Sequence, residues 1–146
     1  MNPPLASLYD ISLGIHQLSG LVLIIVAVAV TVFSVLARNN VEMLEKAMPL
    51  TKLAGPFFGL ILLTGIYQLA NHHIKFFQAW VIGGLLLGIA FMGTLHGTWR
   101  PRARLLLEGK VEGEDAIAKA KSTLIGVSAS LIVMVAVATA LMESHS

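Results

Sequence analysis

The sequence predicts an all-α fold: a four-helix transmembrane bundle, with both termini outside and short amphipathic connections inside. Three observations predict it. Hydrophobic residues make up 56% of the 146-residue chain and Asp, Glu, Lys and Arg only 12%, about half the ~25% of an average soluble domain. The apolar residues collect into four stretches, 11–37, 53–71, 77–99 and 123–142, each close to the length needed to cross a core of ~30 Å at ~1.5 Å per residue. Finally, all ten Lys and Arg and all eight Asp and Glu fall outside those stretches. A charge at mid-bilayer costs at least about 2.5 kcal/mol, so the segregation marks spans. The spans must be helical, because an open strand leaves its backbone groups unpaired in lipid. The whole chain, 1–146, reads as one integral membrane domain.

The same arithmetic excludes other classes. Disordered chains are polar and charge-rich. The net charge of +2 and the lack of a long basic run argue against nucleic acid as a partner. With no cysteine, disulfides, Cys-ligated zinc, iron–sulfur clusters and thiol catalysis drop out. The expected partners are the lipid bilayer and either a second copy of the chain or another membrane subunit.

Taken in order, the first span follows no basic segment and far exceeds a signal-peptide core of ~7–15 residues, so it is expected to stay in the mature protein. Asn39–Met48 then reads as a short amphipathic helix, with Asn40 as its cap and Pro49 as its stop. The second span opens with Gly55-Pro56. The third holds Gly83, Gly84, Gly88, Gly93 and Gly97; with Gly55/Gly59, Gly84/Gly88 and Gly93/Gly97 form small-xxx-small pairs that permit close helix packing or leave a flat slot. Arg100-Pro-Arg-Ala-Arg104 forms a basic collar suited to anionic headgroups. Gly109 and Gly113 break the third connection, and Glu114–Ser122 extends the fourth helix inward, supported by an Asp115–Lys119 pair. Nine of the ten Lys and Arg lie in or beside connections one and three, and only Lys75 lies in the second. By the positive-inside rule, connections one and three are cytoplasmic.

Chemistry within the spans falls to histidine. His16 lies in the outer part of the first span and His96 near the inner end of the third, one turn after Met92. Both are candidate cofactor ligands, since a neutral imidazole binds haem iron, copper or zinc. His72 and His73, in the outer connection, join His16 as a candidate metal set; His145 carries no role. His16 and His96 stand roughly 20 Å apart along the membrane normal. Either there are two sites, or only one of the two histidines is a ligand. No Ser/His/Asp set, paired carboxylates or HExxH motif lies inside the spans, so hydrolysis has no support.

The segment Gly93-Thr-Leu-His-Gly-Thr-Trp-Arg-Pro-Arg-Ala-Arg-Leu-Leu-Leu-Glu-Gly109 resembles the HemJ type of protoporphyrinogen oxidase. So do His16 in the first helix, Pro49 and Gly55-Pro56 at the start of the second, Thr64-Gly65-Ile-Tyr67 at its exit, and Trp80 opening the third. The similarity runs over about residues 10–142 and extends more loosely to CopD-like copper-resistance domains. The chain departs from the pattern after Trp80, where Val81-Ile-Gly-Gly84 replaces a lysine. The resemblance implies a small inner-membrane protein, of bacterial type, binding b-type haem with His16 as a ligand and serving a redox or haem-metabolism role. Were it an enzyme, it would be a haem-dependent oxidoreductase. Two other expectations remain open: copper handling at the outer face through His16, His72 and His73, and a non-catalytic accessory or assembly subunit of a membrane complex.

Overall fold

The structure, a computed structural model, describes residues 3–71 and 79–143. Those residues form helices α1 (Pro3–Leu36), α2 (Met43–Asn71), α3 (Ala79–Thr94), α4 (Arg100–Leu107) and α5 (Glu114–Glu143). A π-turn, Leu95–Trp99, joins α3 to α4 in one continuous rod. Among the described residues there is no strand. Four rods are long and apolar enough to cross a membrane: Leu8–Leu36, Met43–Ala70, Val81–Leu107 and Glu114–Leu141. The expected spans are present, and all four run past the apolar stretches into charged sequence, the first as far as Asp10.

The second rod shows why. Asn39–Met48 does not form a separate helix, and Pro49 does not stop one. Asn40 does act at the start, its side-chain oxygen accepting from Glu42 N–H at 3.1 Å. From Met43 the helix then runs unbroken through Pro49 and Pro56. Each proline removes an i→i−4 bond, at a typical cost near 3 kcal/mol in a helix interior. The carbonyls left over belong to Glu45 and Lys52, which are both exposed, as are the prolines themselves. Leu44, Ala47, Thr51 and Ala54, spaced at three and four residues, are meanwhile fully buried. Burial of that one face holds the helix through residues that would end it alone.

The third rod handles its proline differently. In a regular helix the Pro101 ring would meet the carbonyl of Gly97. Here Arg100 N–H bonds Leu95 C=O, five residues back, and the widened turn relieves the clash. The rod therefore passes through the basic collar to Leu107. It ends in a Schellman motif, with Gly109 at φ +69°, Lys110 N–H on Leu105 C=O at 3.0 Å and Gly109 N–H on Leu106 C=O at 3.2 Å. The fourth rod starts at Glu114, as the inward extension requires. Asp115 and Lys119 form no ion pair; the pair that does form is Lys110–Glu108 at 2.9 Å.

The ends of α1 and α4 and the starts of α2 and α5 gather at one end of the bundle. Lys121 Nζ donates to Arg38 C=O across that end at 3.2 Å, capping the C-terminus of α1. Around the bundle, α1 packs on α2 and α5, and α5 packs on α3. The α2 and α3 rods meet chiefly where the Phe58 ring fills the place of a Gly88 side chain. A Cβ at Gly88 would lie 2.6 Å from Phe58 Cε2, and one at Gly83 would lie 3.1 Å from Leu141. Gly55, Gly59, Gly93 and Gly97 have nothing within 4 Å. Close packing by glycine thus occurs at Gly83 and Gly88, and Gly55, Gly59, Gly93 and Gly97 do not supply it. Gly88→Ala is expected to lower stability by about 1–3 kcal/mol through overpacking. Thermal unfolding in detergent checks this, and Phe58→Leu should restore most of the loss.

Core density is uneven along the rods. On the third rod every buried residue, Phe91, Leu95, Trp99, Ala103 and Leu106, lies from residue 91 onward. On α5 the buried residues are Leu124, Ser128 and Leu131, all in its first two thirds. Toward the other end, α3 and α5 bury no described side chain fully. On α1, Ile11, Ile15, Leu18, Ile25 and Val32 form an exposed stripe at helical spacing, the pattern of a face turned to lipid.

Candidate functional site

His16 occupies the loosely packed half. Its Nδ1 lies 2.8 Å from Thr64 Oγ1 on α2. The contact follows from the hairpin. His16 and Thr64 are 48 residues apart with Asn40 midway, so an antiparallel pair turning near Asn40 brings them level. Thr64 carries one hydroxyl proton, and two backbone carbonyls compete for it, Leu60 at 2.7 Å and Ile61 at 3.2 Å. A threonine in an apolar helix gives its proton to such a carbonyl. Its oxygen is then an acceptor, and His16 Nδ1–H is the donor. That fixes the tautomer: the lone pair sits on Nε2.

The same arrangement recurs in metal-ligating histidines, whose second nitrogen donates to a fixed acceptor that orients the ring. Thr64 is buried, and His16 is half-buried beside it. Next to the ring is Gly65, where a Cβ would stand 3.7 Å from His16 Cε1. A methyl fits there as an ordinary contact, whereas a branched side chain would press on the ring. Thr64 and Gly65 are therefore the neighbours that set the imidazole's position. Thr64→Val removes the acceptor at nearly constant volume. It is expected to weaken ligand binding at His16 Nε2 by about 10–100-fold, while Thr64→Ser retains it. Haem titration of the purified variants measures the difference.

His96 has a different setting. It lies on the π-turn, half-buried, with Arg100 Nη1 3.4 Å from its Nδ1. A guanidinium only donates. His96 Nδ1 is thus the acceptor, and Nε2 carries the proton. The lone pair that a metal would need is directed at a cation. Met92, one turn earlier, is also half-buried.

The two histidines stand at opposite ends of the bundle. Trp99 Nε1–H donates to Ser34 Oγ at 3.0 Å, and Ser34 in turn donates to Val30 C=O at 2.7 Å. Trp99 is therefore level with Ser34, which is about 27 Å further along α1 than His16 at 1.5 Å per residue. His96 is within one turn of Trp99, so it lies roughly 20 Å or more from His16. A single haem does not join them. His72, His73 and His145 lie outside the described residues. Among the described residues no three His, Cys, Asp or Glu side chains converge as a metal set.

Cavities open at two places in the bundle away from both histidines. One, of about 340 Å³, opens at the basic end between Arg38, Glu114, Ile117 and Lys121. The other, of about 320 Å³, is an apolar groove between α1 and α5 lined by Ile24, Ala27, Ile132 and Ala136. Neither is lined by a histidine. Comparison with protein-family models, curated proteins and solved structures finds no match.

Proposed function

We propose that this chain is a small integral membrane protein that binds a b-type haem through His16, in a redox or haem-metabolism role. One observation carries the reading: the Thr64 hydroxyl meets His16 Nδ1 at 2.8 Å and itself donates to Leu60 C=O, which orients the ring with its lone pair on Nε2. The donor set fits one axial ligand. The open packing of α3 and α5 at that end supports the reading, because a planar group needs space that a dense core would fill. The sequence resemblance to HemJ-type proteins points the same way. When bound, such a group would supply one-electron chemistry, and the chain's part is to ligate, orient and shield it from water. Ser12 and Ser19 on α1 and Thr64 on α2 are buried hydroxyls near His16, and Ser12 and Thr64 bond backbone carbonyls, so these neighbours of the ring are neutral.

The orientation belongs to the same proposal. Nine of the ten Lys and Arg belong to connections one and three, the connections that meet at one end of the bundle. In a bacterial inner membrane that end faces the cytoplasm, and both termini and His16 lie toward the outer side. The test is the optical spectrum of protein purified from native membrane, with and without dithionite. A Soret band with a sharpened α-band on reduction is the expected result, and a colourless protein overturns the proposal.

A further inference from the structure

The opposite end of the third rod carries a second polar constellation that the His16 reading leaves unused. Arg100 sits where the π-turn passes into α4. Its bond to His96 Nδ1, at 3.4 Å, is long. Its Nε is buried and has no hydrogen-bond partner, an exception that calls for an acceptor the protein does not itself provide. No carboxylate answers this need: the ion pair recorded among the described residues, Lys110–Glu108, involves neither residue. With His96 accepting at Nδ1, its Nε2–H is a further donor. Arg102 and Arg104 follow, both exposed and of the same sign.

Arg100 Nε thus lacks an acceptor, and His96 stands beside it on a positive background, where the rod leaves its apolar stretch. A planar guanidinium fork suits an oxyanion with two or more oxygens, and π-turns are frequent at functional sites. We infer that His96 and Arg100 form a binding site for a phosphate oxyanion. Its nearest source is the headgroup of an anionic phospholipid, since exposed Leu105 continues an apolar surface beside the basic residues. Binding draws the Arg100 fork from its long histidine contact onto the phosphate oxygens, and His96 Nε2–H adds a neutral donor.

Native mass spectrometry of the full chain in a non-ionic detergent tests this, with phosphatidylglycerol, diacylglycerol or inorganic phosphate added. The expected result is one tightly retained phosphatidylglycerol per chain and no comparable retention of diacylglycerol. Arg100→Gln should weaken retention by about tenfold, His96→Gln by a few-fold, and Arg102→Gln by less than about twofold. Displacement of the lipid by millimolar inorganic phosphate assigns the site to free phosphate, and persistence of the lipid assigns it to the headgroup. Equal losses in Arg100→Gln and Arg102→Gln overturn the inference, because a diffuse basic collar would then suffice. Retention unchanged in His96→Gln together with Arg100→Lys overturns it as well, and neither of those variants removes the charge that helps the rod fold.

Discussion

If His16 holds the proposed haem, His16→Ala is expected to purify as a folded four-helix protein with its haem content reduced by about tenfold or more. This is the largest effect the proposal implies, because Thr64 orients the His16 ring while His96 Nδ1 meets a guanidinium. Ligand linkage adds a second readout. A group present at about 100 times its dissociation constant stabilises the folded protein by about 2.7 kcal/mol. Added haem should therefore raise the melting temperature of the parent chain and leave that of His16→Ala unmoved. His96→Ala, by contrast, should keep its haem, since its imidazole stands about 20 Å or more from His16 and faces a guanidinium. Loss of haem in His96→Ala with retention in His16→Ala would falsify the assignment.

Trp99→Ala is expected to destabilise the bundle more than any other single change at the basic end. Trp99 is fully buried and is the largest side chain in the core. Its Nε1–H bond to Ser34 ties the third rod to α1, an otherwise sparse contact. Truncation leaves a cavity in the densest layer, at a cost of about 3 kcal/mol or more. Packing dominates this figure. In a membrane the unfolded helices stay in lipid, and a single interhelical hydrogen bond averages only about 0.6 kcal/mol. Trp99→Phe, which keeps most of the ring volume and loses the bond, should therefore cost well under half as much. Ser34 keeps its own bond to Val30 C=O in that variant. Unfolding by SDS in mixed micelles measures both, and similar losses for the two variants would show that the hydrogen bond outweighs the packing.

Much of this architecture was legible in the sequence, because low charge and four apolar runs leave a membrane bundle as the only physical solution. Element boundaries were less legible around proline, of which Pro49 reads as a stop. Pro49 and Pro101 both sit inside continuous rods, one carried by the buried face Leu44, Ala47, Thr51 and Ala54 and the other by a π-turn. Local propensity reports neither, since both depend on what the neighbouring helix covers. Spacing left open, for a similar reason, which glycines pack closely. Gly93 and Gly97 have the spacing of a packing motif and face open space, while Gly88 matters because Phe58 happens to lie across from it.

The site was half legible. His16 stands out as an ionisable residue within a span. Thr64 did not, although it lies as far beyond Asn40 as His16 lies before it, and the geometry of an antiparallel hairpin was enough to pair them. The difference between the two histidines could not be read from composition at all. It rests on which ring nitrogen meets a hydroxyl and which meets a guanidinium.

The most direct test of the central claim is the haem-to-protein ratio of the full chain purified from its native membrane, read from a reduced-minus-oxidised spectrum. The proposal predicts a ratio near one haem per chain, with the signal abolished in His16→Ala and kept in His96→Ala. A pigment-free parent protein that also takes up no added haem would contradict the account.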